Sequence, residues 1–180
     1  MQAVKLSFAE LLKIEGNIEH NHIPKYQREY VWGRFHWETL LNDINENNFD
    51  YFIGSVIVVG NSTELRPGEE KIYQVIDGQQ RLTTLSIFLA AIYSKYSTWS
   101  KVVEDEDTKN EYTIKLDSIK RKLLKKKKEI YPNELGGFKN DNFHYFLRVQ
   151  PSTQNLNLAD YKFILKICGL LANVEVPKFF

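Results

Sequence analysis

Two short stretches of the chain concentrate side chains able to do chemistry. Val75-Ile76-Asp77-Gly78-Gln79-Gln80-Arg81-Leu82-Thr83-Thr84 sets two amides, a guanidinium and two hydroxyls where a β-branched run meets a helical period. The uncompensated N–H groups and dipole of a helix N-terminus attract anions, and a glycine there allows close backbone approach. Arg81 adds a fork suited to phosphate or carboxylate. Read from the residues alone, the same stretch also fits an ordinary Asp-Gly turn before a solvated helix start.

The second stretch is Pro24-Lys25-Tyr26-Gln27-Arg28-Glu29-Tyr30-Val31-Trp32. Pro24 pushes Ile23 toward extended backbone, and the interleaved aromatic and polar residues suit a segment laid over a surface. Such a segment can stack an aromatic on a base or ribose while Gln27 and Arg28 supply hydrogen bonds and charge. The plainer alternative is an edge segment whose Tyr30 and Trp32 pack on the core.

The elements that must position these stretches are legible in outline. Ser7-Phe8-Ala9-Glu10 has the form of a capping box, opening a short helix with Leu11 and Leu12 that stops near Gly16. Trp37, Leu40, Leu41 and Ile44 recur at helical spacing. Tyr51–Val59 and Ile72–Ile76 read as two buried, neighbouring strands. Leu82, Leu85, Phe88, Leu89, Ile92, Tyr93 and Tyr96 then follow at helical period, so the unit is strand, tight turn, helix. The acidic stretch around Glu104-Asp105-Glu106-Asp107 reads as a loop or boundary. Beyond it Tyr112–Glu129, Asn142–Val149 and Asp160–Leu171 are expected to be helical.

Composition bounds the rest. The 180 residues hold 43% hydrophobic and 26% charged side chains, enough for one sizeable core. A net charge of +1 predicts no partner by itself, so attraction to nucleic acid would need a local patch. The single cysteine, Cys168, excludes an internal disulfide and fits a reducing compartment; it reads as a small core residue. No apolar run reaches the ~20 residues of a spanning helix, and Met1–Ser7 lacks the apolar core of a secretory signal, so a cytoplasmic protein without a membrane role is expected. The ending at Val176-Pro177-Lys178-Phe179-Phe180 reads as a cut chain.

Taken together, Pro-x-x-Gln-Arg-x-Tyr-x-Trp and, some fifty residues on, Asp-Gly-Gln-Gln-Arg-x-Thr-Thr resemble the Asp-Gly-Gln-Gln-Arg family of bacterial defence proteins, typified by the GmrSD modification-dependent restriction systems. The matching residues are Pro24, Gln27, Arg28, Tyr30 and Trp32, then Gly54, then Asp77 to Thr84. That family in turn is similar to the ParB and sulfiredoxin superfamily, whose two boxes flank a nucleotide. Pro24, Gln27 and Arg28 stand for the first box, without its second proline, and Gly78 and Arg81 for the second.

The resemblance implies an α+β fold: a ParB-like nucleotide-binding domain with a small mixed sheet and packed helices over residues 1–97, then a helical extension over 98–180. It implies a sensor that binds and hydrolyses an NTP with Mg²⁺ and controls DNA cleavage by a nuclease domain or subunit. Gln27, Arg28, Gly78, Arg81, Thr83 and Thr84 would bind the nucleotide. Arg81 would neutralise charge growing during phosphoryl transfer. Asp77 would hold Mg²⁺ or orient water, and Gln79 or Gln80 would position the attacking water; the sequence leaves these roles open. No Gly-Lys-Ser/Thr triplet occurs, so the ordinary P-loop is excluded. The four histidines, His20, His22, His36 and His144, form no nuclease motif.

Other signals carry less. Lys120 to Lys128 holds seven positive charges in nine residues, which an unbroken helix would spread around its surface. With Tyr26 and Gln27, the members Lys120, Arg121, Lys122, Lys125 and Lys126 are candidate DNA contacts, against a plain solvated helix. His20 and His22 lack a third ligand nearby, so zinc is not expected. A sulfiredoxin-like cysteine is missing from the Gly-x-x-Arg box, so no redox cofactor is expected. Alternative readings are a non-catalytic ParB-like DNA-binding module and a scaffold that docks a nuclease subunit.

Overall fold

A computed structural model describes residues 5, 7–12, 18–47, 51–60, 71–132 and 138–150. The elements run α1 (Phe8–Leu12), β1 (Ile18–His22), α2 (Arg34–Glu46), β2 (Ile57–Gly60), β3 (Lys71–Asp77), α3 (Gln79–Trp99), α4 (Glu106–Leu123), β4 (Leu124–Pro132), β5 (Phe138–Leu147) and β6 (Val149–Gln150). The fold is α+β. Its central sheet is mixed, in the order β2-β3-β1-β6, while β4 and β5 form a two-stranded sheet of their own.

The unit that carries the motif forms as its periodicity requires. Strand β3 pairs antiparallel with β2 and parallel with β1, and its Val75 is fully buried against Leu12, Ile23, Leu82 and Val149. Gly78 turns the chain directly into α3, whose Leu82, Leu85 and Ala90 are buried. Leu89 lies against this cluster and also against a second one built from Ala90, Ile119, Leu123, Leu124 and Leu147. One helix therefore joins both parts of the core. Removing some 25 cal/mol of unfavourable hydration per Å² of apolar surface is what fastens it there.

Several expectations are corrected. Strand β2 begins only at Ile57, with 51–56 irregular, and it is not buried: it lies at the sheet edge, with Val59 54% exposed. The lysine run is not helical throughout, because α4 ends at Leu123 and Leu124 takes extended backbone at φ −123°, ψ 144°. Continuing the helix would bring Arg121 beside Lys125 and Lys122 beside Lys126 at i, i+4, like charges that destabilise a helix. Asn142–Val149 is strand, not helix: Phe143, Tyr145 and Phe146 favour a pleated surface, and spacing over so short a run fits either period.

The acidic stretch is partly structural. Asp105 is the N-cap of α4 and accepts from Thr108 N (2.8 Å) and Thr108 Oγ1 (2.5 Å). Both bonds hold its carboxyl below the ordinary range, the side-chain bond contributing most. Lys120, Arg121 and Lys122 occupy the last turn of the same helix, the favourable end of its dipole for cations. At α1, Leu11 N donates to Ser7 O (2.9 Å); the expected stop at Gly16 lies outside the described residues. So do the expected helix over Asp160–Leu171 and its Cys168.

Strand β6 returns the chain to the central sheet. It pairs parallel with β1, Asn21 N donates to Arg148 O (2.7 Å), and Arg148 N donates to Leu123 O (3.0 Å). The half-buried Arg148 guanidinium donates through Nε to Arg121 O (2.6 Å), closing the end of α4; burial lowers its affinity for the proton. Among the described residues no helix is long and apolar enough to cross a membrane.

Candidate functional site at the start of helix α3

The site begins with a backbone constraint. Gly78 has φ +86°, ψ 6°, the left-handed region, and a Cβ there would lie 2.9 Å from Ser55 O and 3.1 Å from Val56 Cγ2. Only glycine turns the strand into the helix without strain at this point. Having no side chain, Gly78 leaves the first turn of α3 without a side-chain cap, and no acidic residue stands in that turn. Its positive end is left for another group.

Gln79 and Gln80 are nearly buried, 7% and 5% exposed. Buried amides must find partners, and these find them on the Pro24–Trp32 segment. Gln79 Nε2 donates to Gln27 Oε1 (3.2 Å) and Arg28 O (3.1 Å). Gln80 Nε2 donates to Glu29 O (2.8 Å), while its Oε1 accepts from Val31 N (2.8 Å). The Gln80 amide thus pairs with residues 29 and 31 as a neighbouring strand would. Gln27 Nε2 in turn donates to Ile76 O (2.8 Å) at the end of β3.

A directed chain of hydrogen bonds completes the clamp. The Trp37 indole can only donate, and it does so to Tyr30 Oη (2.6 Å). Thr84 Oγ1 gives its proton to Gln80 O (2.8 Å), so the 2.7 Å contact between Tyr30 and Thr84 must run from the tyrosine hydroxyl to the threonine. Burial raises the proton affinity of Tyr30 above the ordinary tyrosine range, the two hydrogen bonds opposing it. Helix α2, the Pro24–Trp32 segment and α3 are joined through this one phenol.

Arg81 is fixed from a third direction. Its Nη1 donates to Ser55 O (3.0 Å), and the guanidinium lies over Gly54, where a Cβ would fall 2.5 Å from Cζ and from Nη1. Gly54 has φ +104°. The backbone there favours glycine, and the missing Cβ leaves the space in which the Arg81 guanidinium lies.

The structure brings Gln27, Gly78, Gln79, Gln80, Arg81 and Thr84 into one constellation. Arg28 adjoins it with an exposed side chain, and Asp77 is exposed at the end of β3. Thr83 is buried, and Thr84 is fully so, its hydroxyl engaged by protein partners. Tyr26 is exposed. Lys120, Arg121 and Lys122 belong to α4 and Lys125 and Lys126 to β4, outside the constellation. Sequence reasoning missed Trp37, which helical spacing assigned to an apolar face, and Ser55, which acts through a carbonyl that no side-chain pattern announces. Among the described residues no three His, Cys, Asp or Glu side chains gather as a metal site.

No curated protein matches the chain. The two boxes recognised in the sequence are clamped to one another in space, and the glycines that permit the clamp stand at 54 and 78. The family model described as "GmrSD restriction endonuclease, N-terminal domain" matches residues 8–179, taking in both boxes and both glycines, and the chain belongs to that family.

Proposed function

We propose that this domain is the NTP-binding and NTP-hydrolysing sensor of a modification-dependent restriction system, controlling DNA cleavage by a nuclease domain or subunit in the cytoplasm. Its membership of the restriction-endonuclease family supports the defence role. The observation that carries the nucleotide reading is the uncapped N-terminus of α3 beside a guanidinium held in place by Ser55 O and Gly54. Backbone N–H groups of the first turn would bind phosphate oxygens, and Arg81 would stabilise charge developing on the transferred phosphoryl group. Arg28 would approach from the opposite segment. Asp77, exposed at the strand end, is the residue assigned to Mg²⁺ or to the attacking water. Gln79 and Gln80 would act by holding the two boxes in register, and Thr83 and Thr84 by supporting them from beneath.

One observation favours the alternative of a non-catalytic ParB-like DNA-binding module: the amides of Gln80 and the hydroxyl of Thr84 are already satisfied within the protein. Titration calorimetry with each of the four NTPs and Mg²⁺, with phosphate release measured with and without modified DNA, separates the two. The nucleotide reading expects binding and turnover that Arg81→Ala abolishes with folding and DNA affinity intact. DNA binding by the unaltered protein without NTP binding or turnover would establish the module instead.

A further inference from the structure

The first bond within α3 runs from Leu82 N to Gly78 O (3.0 Å), so the N–H groups of Gln79, Gln80 and Arg81 have no helical carbonyl to bond. The Arg81 N–H belongs to the same planar peptide unit as the Gln80 carbonyl. A hydrogen bond accepted by that carbonyl therefore acts on that N–H as well.

Gln80 O is where the chain of hydrogen bonds from helix α2 ends. Trp37 Nε1 donates to Tyr30 Oη (2.6 Å), Tyr30 Oη to Thr84 Oγ1 (2.7 Å), and Thr84 Oγ1 to Gln80 O (2.8 Å). Every proton points the same way, and bonds aligned in this manner polarise one another. Continued through the peptide unit, the next dipole in line is the Arg81 N–H, at the open end of the helix. Thr84 is fully buried and Tyr30 partly so, and low local dielectric strengthens each link. Burial also raises the proton affinity of the phenol, so Tyr30 keeps the proton it donates at neutral pH. Fastening alone does not account for the direction, because the Pro24–Trp32 segment is already tied to α3 through the side chains of Gln79 and Gln80.

We infer that Tyr30 is a positioning residue for phosphate at the start of α3, acting through Thr84 and the Gln80 carbonyl to polarise the Arg81 N–H, with Trp37 as the first donor. The inference rests on the reading that this turn binds phosphate. It gives the anion a second group beside the Arg81 guanidinium, and it gives α2 a part in the site, since Trp37 stands on that helix.

The test is titration calorimetry of the full chain with inorganic tripolyphosphate and Mg²⁺, together with the amide proton shifts of Gln79 and Arg81 in the ligand-free protein. Tyr30→Phe keeps the ring and removes the hydroxyl, so tripolyphosphate should bind about threefold more weakly. The Arg81 amide proton should move upfield, while that of Gln79, whose peptide carbonyl belongs to Gly78, stays. 3-Fluorotyrosine at position 30, a more acidic phenol of nearly the same shape, donates more strongly and should move both readouts the other way. A merely structural role would not reverse sign between the two, and the fluorinated protein supplies the answer where Tyr30→Phe folds poorly. A parent protein that does not bind tripolyphosphate, equal affinity in all three proteins, or an Arg81 shift that stays fixed or moves together with that of Gln79 would each overturn the inference. Tripolyphosphate affinity that follows position 30 without turnover of any NTP would remove the nucleotide reading and leave the role of Tyr30. Turnover with affinity indifferent to position 30 would do the reverse.

Discussion

At the residue scale the site depends on two glycines and one amide more than on any charged group. Gly54→Ala would place a methyl 2.5 Å from the Arg81 guanidinium carbon, at a φ of +104° that alanine adopts only with strain of about 1–3 kcal/mol. Because the obstructed atoms end a flexible side chain, Arg81 would swing away and forfeit Ser55 O. The expected outcome is a folded, less stable protein with NTP affinity about tenfold lower by calorimetry, the equivalent of ~1.4 kcal/mol. Gln80→Ala acts differently. It strips partners from Glu29 O and Val31 N together, a cost of about 2 kcal/mol, which should lower the melting temperature by roughly 4–8 °C in a chain of this size. A thermal melt unchanged from that of the parent would show that the amide does not hold the two boxes together.

At the element scale, what the sequence announces and what it conceals divide by range. The turn Asp77-Gly78 and helix α3 are legible because Leu82, Leu85, Leu89, Ile92 and Tyr96 keep one helical period, and Gly78 marks the place where the backbone turns left-handed between strand and helix. The β4–β5 ribbon is concealed: its aromatics fit two periods, and only Leu124 and Leu147, paired across the ladder and buried together, decide for strand. The clamp between boxes is half visible. Gln27 and Gln80 declare their chemistry, but Trp37, seven residues beyond Tyr30, declares nothing until tertiary structure brings its N–H to the phenol. Asp105 offers a test at this scale, since it starts α4, on whose last turn Leu123 joins the core. Its carboxyl pKa is lowered on folding, so its contribution is present above the unfolded value near 4, and is lost as pH falls through the folded one. Asp105→Ala should therefore melt lower than the parent at pH 7, and the gap should close as the pH is taken below about 4. A gap independent of pH would mean the charge is not what caps the helix.

At the scale of the whole molecule, the sequence suggests a unit ending near residue 97, yet the sheet that frames the site is completed from much farther on. Val149, in β6, is packed with Leu12, Ile23, Val75 and Leu82, and Arg148 joins β1 to the end of α4 through its backbone. Leu89 belongs to both hydrophobic clusters, so loss of one exposes the same face of α3 that the other needs. A chain ending at residue 97 would leave β1 with a bare edge and the underside of α3 in water, removing Ile119, Leu123, Leu124, Leu147 and Val149 in one step. Each of these burials is worth about 1.5–3 kcal/mol, and a domain's whole stability is only about 5–15 kcal/mol. Such a chain is expected to show the broad, non-cooperative melt and dye-binding apolar surface of a loosely packed state, whereas the full chain should unfold in a single transition followed equally by far-UV and near-UV circular dichroism. A sharp, two-state melt of residues 1–97 with nucleotide affinity retained would show instead that the Arg81 constellation needs none of the later strands.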